Sequence, residues 1–398
     1  MVSLFQTGGK IMHTLTKTQA RQFMLMKQGL LGEHKFTWKD GALAYVKQTG
    51  CIQFDPVNVH GMNAEIQLNA RVKGFKKKML NDLLYKDRSL FDYPDKQQSI
   101  IPTVYWPYFE RFRAAARQHG KQFDGLAALE EKTLAYIKKH GPVSSSELPV
   151  EGKIRWNSAI HWSGAWNSDT NAARAVLEQL YSTGELIIHH KQGTRKYYDL
   201  TARHIPAYLR NAPDPLPDDF NHMKWRVLRR IGAVGLLWNR PSDAFLGIGG
   251  LDNPTRNDIF IKLSEEDEIR PLTVEGINFP LYYQKEDQTL LETILQNPKP
   301  KPRMELLPPL DCFLWDRKLI TALFGYHYAW EIYTPAHKRK YGAYTLPLIY
   351  GENFIGRAEP GTQIWYEDGF APNKKQLSAL DSCFKRFQKF THSPILKN

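Results

Sequence analysis

The sequence predicts a mixed α+β protein in which winged-helix units follow one another and a β-rich unit forms the C-terminal part. The first observation is a helix followed by a hairpin pattern over residues 173–200. The second is a copy of this pattern 83 residues further along the chain. The third is a series of short apolar or alternating segments beyond residue 304, which favours strands.

Two helices are predicted near the N-terminus. Thr16 and Gln19 have the spacing of a capping box, so a helix should begin directly after Thr16. A second helix should run from Trp38 to Thr49, with Thr37 as its candidate N-cap and Gly50 as its stop.

The clearest unit lies in the middle of the chain. Apolar residues follow helical spacing and then meet a typical C-terminal glycine, Gly184; they are Ala173, Val176, Leu177, Leu180 and Tyr181. The following LIIHHKQGTRKYYDL has two short strand patterns around Gln192-Gly193. This order is typical of a winged helix, whose wing would present Lys191, Arg195 and Lys196 to DNA phosphates.

The same pattern recurs further along. A shift of 83 residues places Gly193 on Gly276. It also places Val176, Leu177, Leu180 and Leu186 on Ile259, Phe260, Leu263 and Ile269. The second turn carries Glu275 and no cation, so the first wing is the better candidate for phosphate contact. Coincidence of two amphipathic helices with following hairpins is the alternative, and it stays open.

Two Pro-rich segments separate the units, NAPDPLPDDF at 211–220 and QNPKPKPRM at 296–304. Beyond the second, the segment TPAHKRKYG contains the basic residues Lys338, Arg339 and Lys340 close to tyrosines. Basic residues with nearby aromatic rings suit a loop that contacts phosphates. A solvated charged turn is the alternative.

Charge is the most informative bulk property. The chain has a formal net charge of +13 and a pI near 9.4, which favours a polyanionic partner. Nucleic acid fits this balance best, and an acidic membrane surface is the alternative. No apolar run is long enough to cross a membrane.

Cysteine and histidine usage argues against two other classes of protein. The three cysteines are unclustered, which disfavours a disulfide framework or a cysteine-rich zinc site and indicates a cytoplasmic location. His189 and His190 are adjacent, and neighbours on a regular strand point to opposite faces. We therefore expect a poor chelating pair and no metal site.

The stretch GCIQFDPVNVHG raises a separate question. Ile52 and Phe54 have strand spacing and would face a core, so Gln53 and Asp55 would project together on the other side. There an amide and a carboxylate could hold a water between them. Alternatively, Asp55 before Pro56 would be the N-cap of a helix that starts at the proline.

Four segments together resemble the winged-helix crosslink-repair DNA glycosylases of bacteria, the AlkZ/YcaQ family. They are GCIQFDPVNV, LFDYPDKQQSIIP, LYSTGELIIHHKQGTRKYYDL and FLWDRKLITALFGYHYAWEIYTPAHKRKYGAYTLPLIYG. The resemblance spans almost the whole chain. It implies three tandem winged-helix units, at 1–120, 121–210 and 211–295, and a C-terminal β-barrel-like domain at 296–398.

The resemblance also implies an activity. The family's catalytic signature reads Gln53-Phe54-Asp55 here, and its Asp form marks the YcaQ-like branch, which unhooks interstrand crosslinks and excises N7-alkylated guanine. We expect a monomeric, monofunctional glycosylase that acts on double-stranded DNA, associated with the nucleoid, with no cofactor. The chain departs from the family at Pro94 and Lys96, where the family has tryptophan and histidine. Lys96 is therefore only a candidate phosphate contact.

Two other function classes compete with this one. Winged helices are more often transcriptional regulators, and a fold does not determine a function. A bifunctional glycosylase-lyase would need an activated lysine, and no lysine adjoins the Gln53–Asp55 signature.

Overall fold

The computed structural model describes residues 5–7, 10–158 and 169–391. Within them the chain is a mixed α+β protein with thirteen helices and several small sheets. The helices are α1 Lys17–Lys27, α2 Trp38–Thr49, α3 Asn63–Arg71, α4 Lys77–Asn81, α5 Glu110–Gly120, α6 Leu126–His140, α7 Ala172–Thr183, α8 Ala207–Arg210, α9 Asp219–Val234, α10 Asn253–Glu265, α11 Gln288–Leu295, α12 Arg317–Phe324 and α13 Lys374–Thr391.

Most strands are short. They are β1 Phe5–Thr7, β2 Lys10–Met12, β3 Thr14–Leu15, β4 Phe36–Thr37, β5 Ile52–Gln53, β6 Val72–Lys73, β7 Leu90–Asp95, β8 Gln97–Pro102, β9 Lys153–Arg155, β10 Asp169–Asn171, β11 Leu186–Gln192, β12 Arg195–Leu200, β13 Leu237–Trp238, β14 Ile269–Val274, β15 Ile277–Gln284, β16 Met304–Leu306, β17 Leu346–Tyr350, β18 Asn353–Glu359 and β19 Gln363–Tyr366.

The described residues group into two compact units. One comprises Met1–Leu80 together with Met223–Asn398, and the other comprises Asn81–His222. In the first unit, β3 pairs in parallel with β14, and the hydroxyl groups of Thr14 and Thr273 lie 2.7 Å apart. This pairing ties the N-terminal segment to the residues after 223. The division into four units stays a prediction.

The two N-terminal helices form as predicted. Thr16 and Gln19 complete a capping box, because the Thr16 side chain accepts from the Gln19 N–H and the Gln19 amide accepts from the Thr16 N–H. Helix α2 has the predicted bounds and ends at Gly50. Thr37 occupies the N-cap position without a side-chain capping bond, so backbone conformation defines that start.

The predicted repeat of helix and hairpin is present at the level of elements. Helix α7 ends at Gly184 and leads into the β11–β12 hairpin, and α10 leads into the β14–β15 hairpin. The turn of the first hairpin is Gly193–Thr194, one residue later than predicted. The second hairpin belongs to a separate four-stranded sheet, in the order β13-β15-β14-β3, and does not extend the first. The matched apolar residues are buried in both copies.

A buried ion pair lies at the centre of the first unit. Arg71, in α3, donates two hydrogen bonds to Asp311, at 2.8 and 2.6 Å, and both side chains are fully buried. The guanidinium also reaches the amide oxygen of Gln28, which accepts from the Tyr45 hydroxyl. Asp311 thereby links helices α1, α2 and α3 to the segment before α12.

The C-terminal strands form an open sheet. Strands β16-β17-β18-β19 pair in this order, so the outer strands are not joined and the expected barrel is not closed in the described part of the chain. Helix α13 explains this, because its apolar side covers one face of the sheet. Leu380, Phe384 and Phe387 pack there in one core with Leu346 and other strand residues. A sheet covered by a helix buries its apolar face without curling closed.

Among the described residues, no helix is both long and apolar enough to cross a membrane.

We expect Phe387→Ala to lower the free energy of unfolding by about 3–5 kcal/mol, because the removed ring leaves a cavity between α13 and the sheet. Leu377→Ala, in the same helix but exposed, is the matched control and should cost far less. Urea unfolding followed by circular dichroism measures both. Equal losses in the two variants would mean that α13 does not stabilise the sheet.

Candidate active site and nucleic-acid interface

Gly50 ends helix α2, and strand β5 begins two residues later, so the conformation of Gly50 determines the direction in which β5 leaves the helix. Gly50 has φ of +72°, and a Cβ there would lie 2.5 Å from Nε of Arg229. Arg229, in α9, donates from Nη2 to the Gly50 carbonyl at 2.5 Å. Only glycine meets both the conformation and the close approach. The backbone that leads to Gln53 is thus held by a buried arginine.

Asn63 holds the other end of the strand. Gln53 is buried, and its carbonyl oxygen accepts from Nδ2 of Asn63 at 3.0 Å. The other side of the same amide, Oδ1, accepts from the Leu310 N–H at 3.0 Å. Asn63 therefore fixes β5 to the segment that contains Asp311, the partner of Arg71.

Asp55 follows the strand and caps no helix. The residues after Pro56 are irregular, and α3 begins only at Asn63, with Met62 as its N-cap. The capping interpretation is therefore wrong. Oδ1 of Asp55 accepts from the Val57 N–H at 2.8 Å, as in an Asx turn. Within the described residues, Oδ2 has no hydrogen bond, which leaves it available to a ligand.

The sequence predicted that side chains alternate between two faces from Ile52 to Asp55, but the strand itself is shorter. β5 ends at Gln53, so Phe54 and Asp55 lie beyond regular strand geometry, and both are half-buried. Burial raises the pKa of Asp55, although the bond from Val57 opposes this shift. A carboxylate that is poorly solvated interacts more strongly with a nearby positive charge.

Tyr344, which lies near Asp55, and His60 beside it were not predicted from the sequence. Tyr344 is buried, and its pKa is raised first by burial and then by the charge of Asp55. The ring of His60 lies 6.0 Å from the Tyr344 ring, and its Nε2 is buried with no hydrogen-bond partner in the described structure. His60 belongs to the GCIQFDPVNVHG stretch, but its distance from Asp55 along the chain matches no motif that would have marked it as a site residue. Tyr344 is distant in sequence and only the fold brings it close.

The cations of the β11–β12 hairpin differ in their surroundings. Lys191 forms a buried ion pair with Asp92 at 2.5 Å, and burial lowers its pKa. Lys196 is half-buried, with Nζ 5.7 Å from the centre of the Tyr181 ring. Arg195 is exposed beside the turn. Of the three predicted phosphate contacts, Arg195 is therefore the most accessible. Lys96, at the β7–β8 turn, is buried.

A basic cleft of about 570 Å³ lies in the C-terminal part of the first unit. It is lined by Arg317, Lys318, Thr321, His327, Tyr328, Ala329, Glu331, Lys340, Tyr341 and Arg357. Of the predicted basic run, Lys340 borders the cleft and is exposed, as is Lys338 outside it. Arg339 instead donates to the carbonyls of Thr334 and Ile332, which holds the loop together.

Glu331, the acidic residue that lines the cleft, is bonded to the backbone of the loop. The Glu331 carboxylate accepts from the backbone N–H groups of Lys340, Tyr341 and Gly342, at 2.8–3.2 Å. These bonds neutralise part of its charge, so that the surrounding cations dominate the cleft. Sequence analysis identified only Lys340, because Arg317, Lys318 and Arg357 come from separate segments.

The adjacent histidines do not behave as predicted. The register of β11 shifts between Ile188 and His190, a bulge that directs both neighbouring imidazoles to one side. Nδ1 of His189 lies 2.8 Å from Nδ1 of His190. The expectation that they point to opposite faces is therefore wrong.

Comparison with known proteins identifies the class as DNA glycosylase. The sequence matches the family described as "DNA glycosylase AlkZ-like" over residues 46–367. The chain belongs to this AlkZ-like family, which gives it a role as a DNA repair glycosylase with DNA as its substrate. The fold is similar to that of Streptomyces sahachiroi DNA glycosylase AlkZ. The TM-score is 0.62, with 14% identity over 96% of this chain and 98% of that one.

The raised pKa of Asp55 predicts a pH-dependent change in stability. Because burial disfavours the ionised form, the contribution of this group is most favourable below its ordinary pKa of 3.8 and is lost as pH rises through the folded value. Asp55→Asn keeps the Oδ1 acceptor for Val57 and removes the charge. We expect its melting temperature to exceed that of wild type at pH 7, and the difference to shrink towards pH 4.

Asp124→Asn, at an exposed turn, is the matched control and should show no such trend. Thermal melts at several pH values measure all three proteins. A constant difference between Asp55→Asn and wild type from pH 4 to pH 8 would contradict the prediction.

Proposed function

We propose that the protein hydrolyses the N-glycosidic bond of N7-alkylated guanine in double-stranded DNA, including guanines in interstrand crosslinks. The observation that supports this most directly is the half-buried Asp55 carboxylate, with one oxygen fixed by Val57 and the other available. It follows Gln53, whose carbonyl is anchored by Asn63. Membership in the glycosylase family supplies the reaction class.

The chemistry of the lesion fits a carboxylate of this kind. Alkylation at N7 leaves a positive charge on guanine, so the base departs readily when the C1′–N9 bond breaks. The electron pair of that bond neutralises the base, and an oxocarbenium-like charge develops on the sugar. Asp55 would stabilise that charge electrostatically. It would also orient the water that adds to C1′ and accept its proton.

Gln53 would position the same water or bond to the sugar. Water position matters because alignment supplies much of the rate. This scheme is monofunctional, since water is the nucleophile and no lysine forms a covalent adduct. A crosslinked guanine is tied to both strands and cannot flip out freely, so we propose that the enzyme acts on it in place.

We further propose that the helix–hairpin modules are winged helices that contact DNA, in a chain of three such units that acts as a monomer. The modules α7–β11–β12 and α10–β14–β15 support this proposal through their order and buried apolar positions. The Asp form of the signature supports placement in the YcaQ-like branch. Arg195 and the cations of the C-terminal cleft are the proposed phosphate contacts, with Lys338 and Lys196 beside them.

The catalytic proposal is tested by Asp55→Asn. We expect excision to fall by about 10²–10³ in rate, the usual effect of one lost electrostatic contact in the transition state. Binding to lesion-bearing duplex should persist, because Asn retains the shape and the turn. Gln53→Ala should lose less, and Asp124→Asn should lose nothing. The measurement is single-turnover release of 7-methylguanine.

If Asp55→Asn releases the base at the wild-type rate, this carboxylate is not catalytic. Failure of the wild type on every N7-alkylated or crosslinked duplex would instead favour the DNA-binding regulator.

The interface proposal is tested by the salt dependence of DNA binding. Arg195→Ala and Lys340→Ala should each flatten the log–log slope of affinity against salt by about one, because each removes one phosphate contact. Lys191→Ala is the informative comparison. It should leave the slope unchanged and lower the melting temperature, because the buried Asp92 loses its partner. If Arg195→Ala leaves the slope unchanged, the β11–β12 hairpin does not contact DNA phosphates through this residue.

A further inference from the structure

Three side chains with metal-binding atoms, His189, Asp199 and His204, converge at the base of the β11–β12 hairpin, and His190 adjoins the first of them. His189 and His190 lie side by side at the bulge in β11. Asp199 lies on the facing strand, where it pairs with Ile187, and His204 follows the short turn after β12. The ligand atoms of His189, Asp199 and His204 all lie within 4.8 Å of one another. Three separate backbone segments thus supply one cluster.

The carboxylate is oriented towards the imidazoles. Oδ1 of Asp199 accepts from Nη1 of Arg203 and from the Leu200 N–H, both at 2.8 Å. Oδ2 lies 2.7 Å from Nε2 of His204. One oxygen is therefore held by outer partners and the other faces the histidines, the arrangement that outer-shell bonds give to a metal ligand.

Arg88 holds the backbone of the bulge in place. Arg88 donates to the carbonyls of Ile188 and His189, at 2.9 and 3.3 Å. These bonds hold the backbone at the irregular position of the strand, so His189 and His190 stay on one side. A bulge that redirects a side chain is commonly a functional feature.

A hydrogen bond between His204 and Asp199 explains only half of this cluster. His190 stacks on the Tyr197 ring, with the ring centres 4.3 Å apart, but the bond between His204 and Asp199 gives no reason for His189 to face these two residues. Ligand atoms at about 2.0–2.2 Å from one zinc ion lie within about 4.4 Å of each other. The ligand atoms of His189, Asp199 and His204 lie within 4.8 Å of one another, close to that range, and the Asp199–His204 pair is already within it at 2.7 Å.

We propose that His189, Asp199 and His204 bind one transition-metal ion, with the remaining position open to water or to the adjoining His190. Two imidazoles and one carboxylate suit Zn²⁺ or a neighbouring divalent metal, whereas Ca²⁺ and Mg²⁺ prefer oxygen ligands. The histidines are half-buried and therefore within reach of solvent ions. The ion would fasten both strands and the following turn together, and so stabilise the hairpin that bears Arg195. Its role is structural and is independent of the proposed excision reaction.

The test uses the full chain without an affinity tag, stripped of metal by a chelator. Titration with Zn²⁺ should show one site per chain and a rise in melting temperature. Co²⁺ should give the visible absorption of a tetrahedral nitrogen and oxygen site. His189→Gln and His204→Gln should each weaken Zn²⁺ binding by at least about 10–100-fold, the loss typical even for outer-shell partners. His140→Gln, exposed in the same unit, is the matched control and should bind normally.

Metal-free melts check that each variant is folded. If His204→Gln does not fold, because its bond to Asp199 is lost, His189→Gln decides the question. Absence of stoichiometric Zn²⁺ binding by the wild type would overturn the proposal. Normal binding by folded His189→Gln would overturn it too, since the zinc would then occupy some other site.

Discussion

The geometry of the candidate active site depends on the buried ion pair between Arg71 and Asp311. Burying two charges is costly, and only good geometry with further bonds offsets that cost. Here two guanidinium bonds to Asp311 meet that condition. Removing one partner would leave the other charge buried and unpaired, at a cost of about 3–5 kcal/mol. Through Gln28 and Tyr45 the same guanidinium joins the helices α1, α2 and α3 to the segment before α12.

A short series of contacts connects this ion pair to the candidate active site. Asp311 fixes the position of the segment that includes Leu310, the Leu310 N–H bonds to Asn63, and Asn63 bonds to the carbonyl of Gln53. From the opposite direction, Arg229 holds the carbonyl of Gly50. Backbone bonds at both ends leave little freedom to the strand between them. The proposed role of Asp55 beside C1′ requires a carboxylate in a fixed position, and such a support would provide it.

Sequence reasoning succeeded where local chemistry determines the structure and failed where distant segments do. The capping box at Thr16 and the glycine stop at Gly50 depend on neighbouring residues, and both were predicted correctly. Excluding Asp55 as a helix cap required the true start of α3, eight residues further on at Asn63. The bulge beside His189 and the proximity of Tyr344 to Asp55 are tertiary effects with no local signal.

Net charge gives a similar lesson about the DNA interface. The formal charge of +13 counts every cation equally, but several are buried and bonded within the protein. Arg71, Arg229 and Lys191 hold backbone or carboxylate groups in place, and a cation engaged in this way releases no counterion from DNA. Arg71 and Lys191 are paired with Asp311 and Asp92, so these two pairs add little net charge to the long-range field, which follows from the excess of cations over acids in the whole chain. Attraction to DNA thus reflects the whole chain, whereas salt-dependent affinity reflects only the exposed cations, such as Arg195 and Lys340.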